Sequence, residues 1–161
     1  MTQLPSKFEL RSELERRLNA DLEALERAQR GAIEAATHEE AKPENDKDTR
    51  ALEASYLARG QAMRIEELRR GLAEVAAFGL RDFDEQTPLA LSAVVTVEDD
   101  EGEVTLFIAP HGGGVKLAGG RVGVVTPRSP LGLALLGKRA GDDIEVVVEG
   151  KKRERTIAKV A

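Results

Sequence analysis

Most of the chain's clustered chemistry-bearing side chains fall in one short stretch: His38, Glu39 and Glu40, followed by Lys42-Pro43-Glu44-Asn45-Asp46-Lys47-Asp48. Carboxylates gathered at a turn are hard oxygen donors. They suit a divalent cation such as magnesium, which commonly takes only one or two ligands from a protein and keeps waters in its other positions. The same acids also have a plain structural use. Near the start of a following helix they favour its dipole, and Asp48 is a capable N-cap.

Other candidates are weaker. His111-Gly112-Gly113-Gly114 has the form of an esterase oxyanion loop, but no Gly-x-Ser-x-Gly elbow accompanies it and the chain lacks the alternating strand and helix pattern of that fold. A glycine connection between strands is the better reading. His38 and His111 are the 2 histidines and lie in different halves, so neither a histidine metal site nor a catalytic triad is expected. Arg11, Arg16, Arg17, Arg27 and Arg30 alternate with Glu13, Glu15, Glu23 and Glu26, which describes a mixed-charge solvent face.

Composition narrows the classes further. The 161 residues are 33% charged and 3% aromatic, with no tryptophan and no cysteine. An aromatic-lined small-molecule pocket, a base-stacking platform, disulfides and thiolate metal sites are all disfavoured. The net charge of −5 argues against binding nucleic acid by bulk attraction, leaving a protein partner as the expectation. No apolar run reaches the length of a signal peptide or a membrane span, so a cytoplasmic protein without membrane contact is expected.

Two hydrophobic periods divide the chain. Leu14, Leu18, Leu22, Leu25, Ala28, Ala32 and Ala35 recur at steps of three and four, as do Ala51, Ala54, Ala58, Ala62, Ile65, Leu68, Leu72 and Val75. Two amphipathic helices around Pro43 fold back most simply as an antiparallel coiled-coil hairpin over residues 1–77. At 1.5 Å per residue a helix from Phe8 to Ala35 is roughly 40 Å long. Large apolar residues at one end of the seam and alanines at the other predict a slim, weakly held tip. A bundle or a dimeric coiled coil, in which the seam meets another chain, satisfies the same pattern. After a linker over 78–88, residues 89–161 read as β-structure. Strands are expected at Leu91 to Val97, Val104 to Ile108, Gly120 to Thr126, Asp143 to Val148 and Glu154 to Val160, forming a small antiparallel sheet with one short helix between the third and fourth.

That short helix carries the densest motif in the chain: Ser129-Pro130-Leu131-Gly132-Leu133-Ala134-Leu135-Leu136-Gly137-Lys138-Arg139-Ala140-Gly141-Asp142. Ser129 suits the N-cap, Pro130 the first helical turn, and Gly137 a left-handed stop. The string, with the strand-like Ile144-Glu145-Val146-Val147-Val148 after it, resembles the Gre transcript-cleavage factors of bacterial transcription. The resemblance implies an α+β protein with a helical hairpin and an FKBP-like polymerase-docking domain. It also implies a monomer that binds RNA polymerase and is not itself an enzyme. The hairpin would enter the secondary channel, close to the nascent RNA, and its acids, here Glu44, Asp46 and Asp48, would help hold a magnesium ion shared with the polymerase active site. The turn with Arg128, Ser129, Pro130 and Leu131 would dock on the polymerase rim.

The tip departs from the family pattern, which reads approximately Gly-Asp-Leu-Ser-Glu-Asn. Counting back from Arg64-Ile65 puts Glu44 on the family aspartate and Lys47 on its glutamate. Aligning Glu44-Asn45 with the Glu-Asn pair puts Ala41 on the aspartate. Neither register restores both acids, so a Gre-like protein that occupies the channel without provoking cleavage stands as the alternative. An FKBP-like isomerase would need a pocket rich in aromatics, whereas this half has Phe107 alone beyond the linker residues Phe78 and Phe83. A coiled-coil adapter would leave the Ser129 to Asp142 motif unused.

Overall fold

The computed structural model describes residues 3–40 and 47–161. Helices α1 (Lys7–Glu40) and α2 (Lys47–Ala77) precede β1 (Val94–Asp99), β2 (Gly102–Ile108), β3 (Lys116–Leu117), β4 (Val122–Val125), helix α3 (Pro130–Leu135), β5 (Asp143–Val148) and β6 (Lys151–Val160). The chain divides into two compact units, one of Arg16–Leu72 and one of Met1–Glu15 with Ala73–Ala161.

The start of α1 is written locally. Ser6 and Glu9 form a reciprocal capping box: the Glu9 amide donates to Ser6 Oγ at 3.1 Å, and the Ser6 amide donates to Glu9 Oε2 at 2.8 Å. In the unit Arg16–Leu72, Leu18, Ile65 and Leu68 are buried, and Arg69 reaches Glu26 at 3.3 Å. The Arg11 guanidinium donates to the Phe78 carbonyl at 2.9 Å. Positions that rise along α1 thus meet positions that fall along α2, and the helices are antiparallel. Further along, the apolar residues stay in solvent. Ile33, Leu52, Tyr56 and Leu57 are all exposed, as are the seam alanines Ala51, Ala54 and Ala58. Alanine side chains bury too little area to hold two helices together, which fits the weak seam expected from their spacing.

The sheet is mixed rather than wholly antiparallel. Its order is β3-β4-β2-β1-β6-β5, with β2 and β4 parallel in the register Thr105↔Val122 to Ile108↔Val125 and the other pairs antiparallel. The departure from the expected sheet follows from what joins β2 to β4. Residues 109–121 include the glycine loop, β3 and a short 3-10 turn, enough chain to carry β4 back to the same end of the sheet before it pairs. β5 and β6 are joined by Glu149 and Gly150, both at positive φ (53° and 76°), the backbone of a two-residue hairpin turn.

β1 and β4 are buried at nearly every position because the sheet is covered on both faces. On one face, Val95, Val97, Leu106, Ile108, Ile144, Val146 and Ile157 pack with Leu135 of α3, with Phe83 of the linker and with Leu89 just after it. Toward the other lie the first turns of α1 and the end of α2. Phe107 is fully buried with its ring centroid 6.0 Å from Phe78, and a side chain at Gly112 would run into Leu14 at 2.8 Å. Glu13 accepts from the Ala118 amide at 2.9 Å. The Lys7 ammonium lies 4.8 Å over the Phe83 ring, donates to the Arg81 carbonyl, and donates to the Ala161 main-chain oxygen at 2.9 Å. Desolvation pulls its pKa below the usual lysine value, with Asp82 opposing the shift and Arg81 adding to it.

The linker has a local lock of its own. The Thr87 hydroxyl donates to Asp84 Oδ1 at 2.7 Å and the Gln86 amide donates to the same atom at 2.9 Å. The hydroxyl bond first, and the backbone amides after it, hold the Asp84 carboxyl below its ordinary 3.8. A depressed folded-state pKa means that the stabilisation is complete above 3.8 and is lost as pH falls through the lowered value. In acid urea titrations Asp84→Asn should flatten the fall of stability below that pH; an unchanged slope would remove Asp84 from the account.

Candidate functional site

The two groups of candidate residues differ in how far the structure describes them. Glu44 and Asp46 lie outside the described residues, and Asp48 is described only as backbone in the first turn of α2. Among the described residues no group of three or more histidines or acids is placed to hold a metal ion.

The second group is fully placed, on the turn leading into α3. Ser129 adopts extended backbone (φ −76°, ψ 156°), accepts from the Gly132 amide at 3.0 Å and donates its hydroxyl to the Thr126 carbonyl at 2.9 Å. One side chain therefore caps the helix and closes the turn before it. Pro130 occupies the first helical position, where a missing amide proton costs nothing. Gly132 is buried against the turn so closely that a Cβ there would sit 1.8 Å from the Thr126 carbonyl oxygen.

The division of labour within the turn is specific. Pro130 and Arg128 are exposed, and Ser129 stays partly open although it serves as the cap. Leu131 is half-buried against the sheet core, whereas Leu133 is 62% exposed. An apolar contact from this helix is thus offered by Leu133, which the motif does not distinguish from its neighbours. In a helix of six residues the face turned to solvent depends on where the sheet lies beneath it. The helix ends at Leu136, and Gly137, at φ 78°, turns the chain into pairing with the residue just after the linker: its amide donates to the Leu89 carbonyl, and the Leu89 amide donates to the Lys138 carbonyl, both at 2.8 Å. The turn is thereby fixed at both ends, which keeps Arg128, Pro130 and Leu133 on one rigid support.

His111 lies half-buried in the loop before Gly112, and no described helix is long and apolar enough to cross a membrane. The esterase reading gains nothing from the geometry, since Gly112 packs on Leu14 and serves helix-to-sheet contact.

Comparison with known proteins agrees with the motif. Residues 88–161 match the family described as transcription elongation factor, GreA/GreB, C-terminal. No curated protein matches the chain. Among solved structures, the GreA factor homolog 1 (Gfh1) of Thermus thermophilus is 22% identical, with 91% of this chain and 94% of that chain covered and a TM-score of 0.40. Gfh1 of Thermus aquaticus is 24% identical over 90% of this chain and 92% of its own, also at 0.40. A GreA/GreB elongation factor from Nitrosomonas europaea is 24% identical over 58% of this chain and 78% of its own, at 0.37. The assignment rests on the sequence match, which begins at Pro88 and takes in every strand of the sheet and α3. Over residues 88–161 the chain is similar to the C-terminal part of the GreA/GreB transcription elongation factors.

Proposed function

We propose that the protein binds bacterial RNA polymerase, docks through the α3 turn and inserts its helical pair into the secondary channel, where Glu44, Asp46 and Asp48 assist cleavage of backtracked transcripts. The observation that carries this reading is the family match over residues 88–161. The solvent-facing Arg128, Pro130 and Leu133 on a capped turn support a docking role for that helix. The donor chemistry of the tip suits magnesium, because all three candidate ligands are carboxylates. A magnesium ion shared with the polymerase would supply the activated water and charge stabilisation of two-metal hydrolysis. The chain's part is to present the acids and to occupy the channel; the scissile bond and the catalytic machinery belong to the polymerase. Such a protein acts in the cytoplasm, as a monomer, in reach of the nascent RNA.

A second reading has its own observation. Lys47 stands where one register places the family glutamate, and Ala41 where the other places the aspartate. A channel occupant without that acid pair regulates polymerase without provoking cleavage.

The test is transcript cleavage on backtracked elongation complexes with magnesium, comparing the wild type with Glu44→Ala, Asp46→Ala and Asp48→Ala. Stimulation by the wild type, reduced at least about 100-fold by one of these changes, is the expected result if that acid is required for the metal-assisted step. Binding with no stimulation, and competition against an authentic cleavage factor, selects the second reading. Absence of binding overturns both.

A further inference from the structure

We propose that β5 is a docking edge for an extended cationic segment of a partner protein, which joins the sheet as an added strand. The sheet order leaves β3 and β5 at the two edges. β3 has two residues and runs into a 3-10 turn, so it offers little to pair with. β5 has six, all in ladder with β6, and among the described residues no other backbone hydrogen bond engages Asp143–Val148. An edge of this length presents a row of unpaired amides and carbonyls, the template that strand addition uses.

The side chains select the occupant. Ile144 and Val146 turn to the core, while Asp143, Glu145 and Val147 point to the opposite face; Val147 and Val148 are 55% and 48% exposed. Asp142, Asp143, Glu145 and Glu149 make this margin acidic. Much of the neighbouring positive charge is already engaged: Arg153 pairs with Glu101 at 2.6 Å and Arg155 with Asp99 at 3.5 Å, while Lys152 meets Glu145 at 3.6 Å. A second copy meeting β5 through its own β5 would set like charges against each other, which disfavours that pairing. Its basic strand β6 is already paired on both sides and is not free to add. A foreign strand with lysine or arginine at alternate positions meets Asp143, which accepts one bond from the Thr156 hydroxyl, and competes with Lys152 for the exposed Glu145, while its intervening apolar residues extend the row of Ile144, Val146 and Val148.

The experiment titrates the isotope-labelled full chain with a capped Lys-Val-Lys-Val-Lys-Val peptide and with its Glu-Val counterpart, reading amide shifts and hydrogen exchange by NMR. Binding of the lysine peptide should move and protect the amides of Asp143–Val148, while the glutamate peptide should not bind. The exposed double change Asp143→Lys with Glu145→Lys should weaken the lysine peptide about tenfold. Added salt should weaken it in the unmodified protein, which gives a test that no substitution can confound by misfolding. Shifts confined to other elements, equal binding of the two peptides, or no response at millimolar peptide would overturn the proposal. So would a dimer of the free protein joined through β5. The polymerase reading enters none of these readouts.

Discussion

Gly132→Ala lowers the unfolding free energy of the sheet unit by about 2 to 4 kcal/mol, even though alanine is the better helix former by about 1 kcal/mol. The overlap decides the sign. A Cβ at this position would lie 1.8 Å from the Thr126 carbonyl oxygen, 2.7 Å from its carbon and 3.1 Å from Ser129 Oγ. Backbone must move to relieve a contact that short, and the movement pulls apart the Ser129 bonds to Gly132 and Thr126, the former an N-cap contact of about 1 kcal/mol. Gly31 supplies the control. It lies inside α1, where an added Cβ would meet nothing within 4 Å, so Gly31→Ala should stabilise by up to about 1 kcal/mol. Urea unfolding followed by far-UV circular dichroism reads both. Equal effects of the two changes would show that propensity, and not the close approach, governs position 132.

Phe107→Ala should cost about 3 to 5 kcal/mol by the same measurement. The ring is fully buried in β2, next to Phe78, on the side of the sheet opposite the α3 core. Strands β1 and β4 flank it, and Leu10, Leu14 and Val75 are each at most 1% exposed in the same unit. No neighbour can collapse into the space without leaving its own packing, so transfer and cavity terms add. Phe8, 63% exposed, gives the comparison: Phe8→Ala removes an aromatic of the same size with a loss below about 1 kcal/mol. Similar losses at the two positions would mean that the helix ends do not seal the second face.

What the sequence made legible, and what it hid, follows from the range of the interactions. The helices were readable because three-and-four spacing is local, and the α3 cap was readable because Ser129, Pro130 and Gly137 each act within a few residues. The capping box of Ser6 and Glu9 was equally local, and its spacing was there to be seen. The parallel pairing of β2 with β4 was not, since it depends on how the chain between Ala109 and Arg121 travels in space. Continuous burial of Val94 to Val97 likewise reports a second covering layer, and an apolar run such as Ala93-Val94-Val95 cannot say by itself what lies on its two faces. At the candidate site, the exposure of Leu133 beside the half-buried Leu131 is settled by the sheet beneath the helix. The tip acids were legible as donors, but their role depends on register against an absent partner, which residue type does not encode.

The compact unit that contains the sheet is assembled from both sides of Arg16–Leu72, and Lys7 and Ala161, hydrogen-bonded at 2.9 Å, are 154 positions apart. In topological terms the outer part of the helical pair is an insertion into a closed loop of the sheet unit. Loop-closure entropy grows only logarithmically, so doubling such an insertion adds about 0.6 kcal/mol to the cost of closing it. Evolution, or an engineer, can therefore lengthen, shorten or exchange the outer helices as a cassette at small cost to the sheet, provided that Lys7–Glu15 and Ala73–Phe78 stay in place. Cutting the chain at Pro88 to isolate the family-matched segment does the reverse: it removes the residues that cover Phe107 and leaves a sheet with an open apolar face.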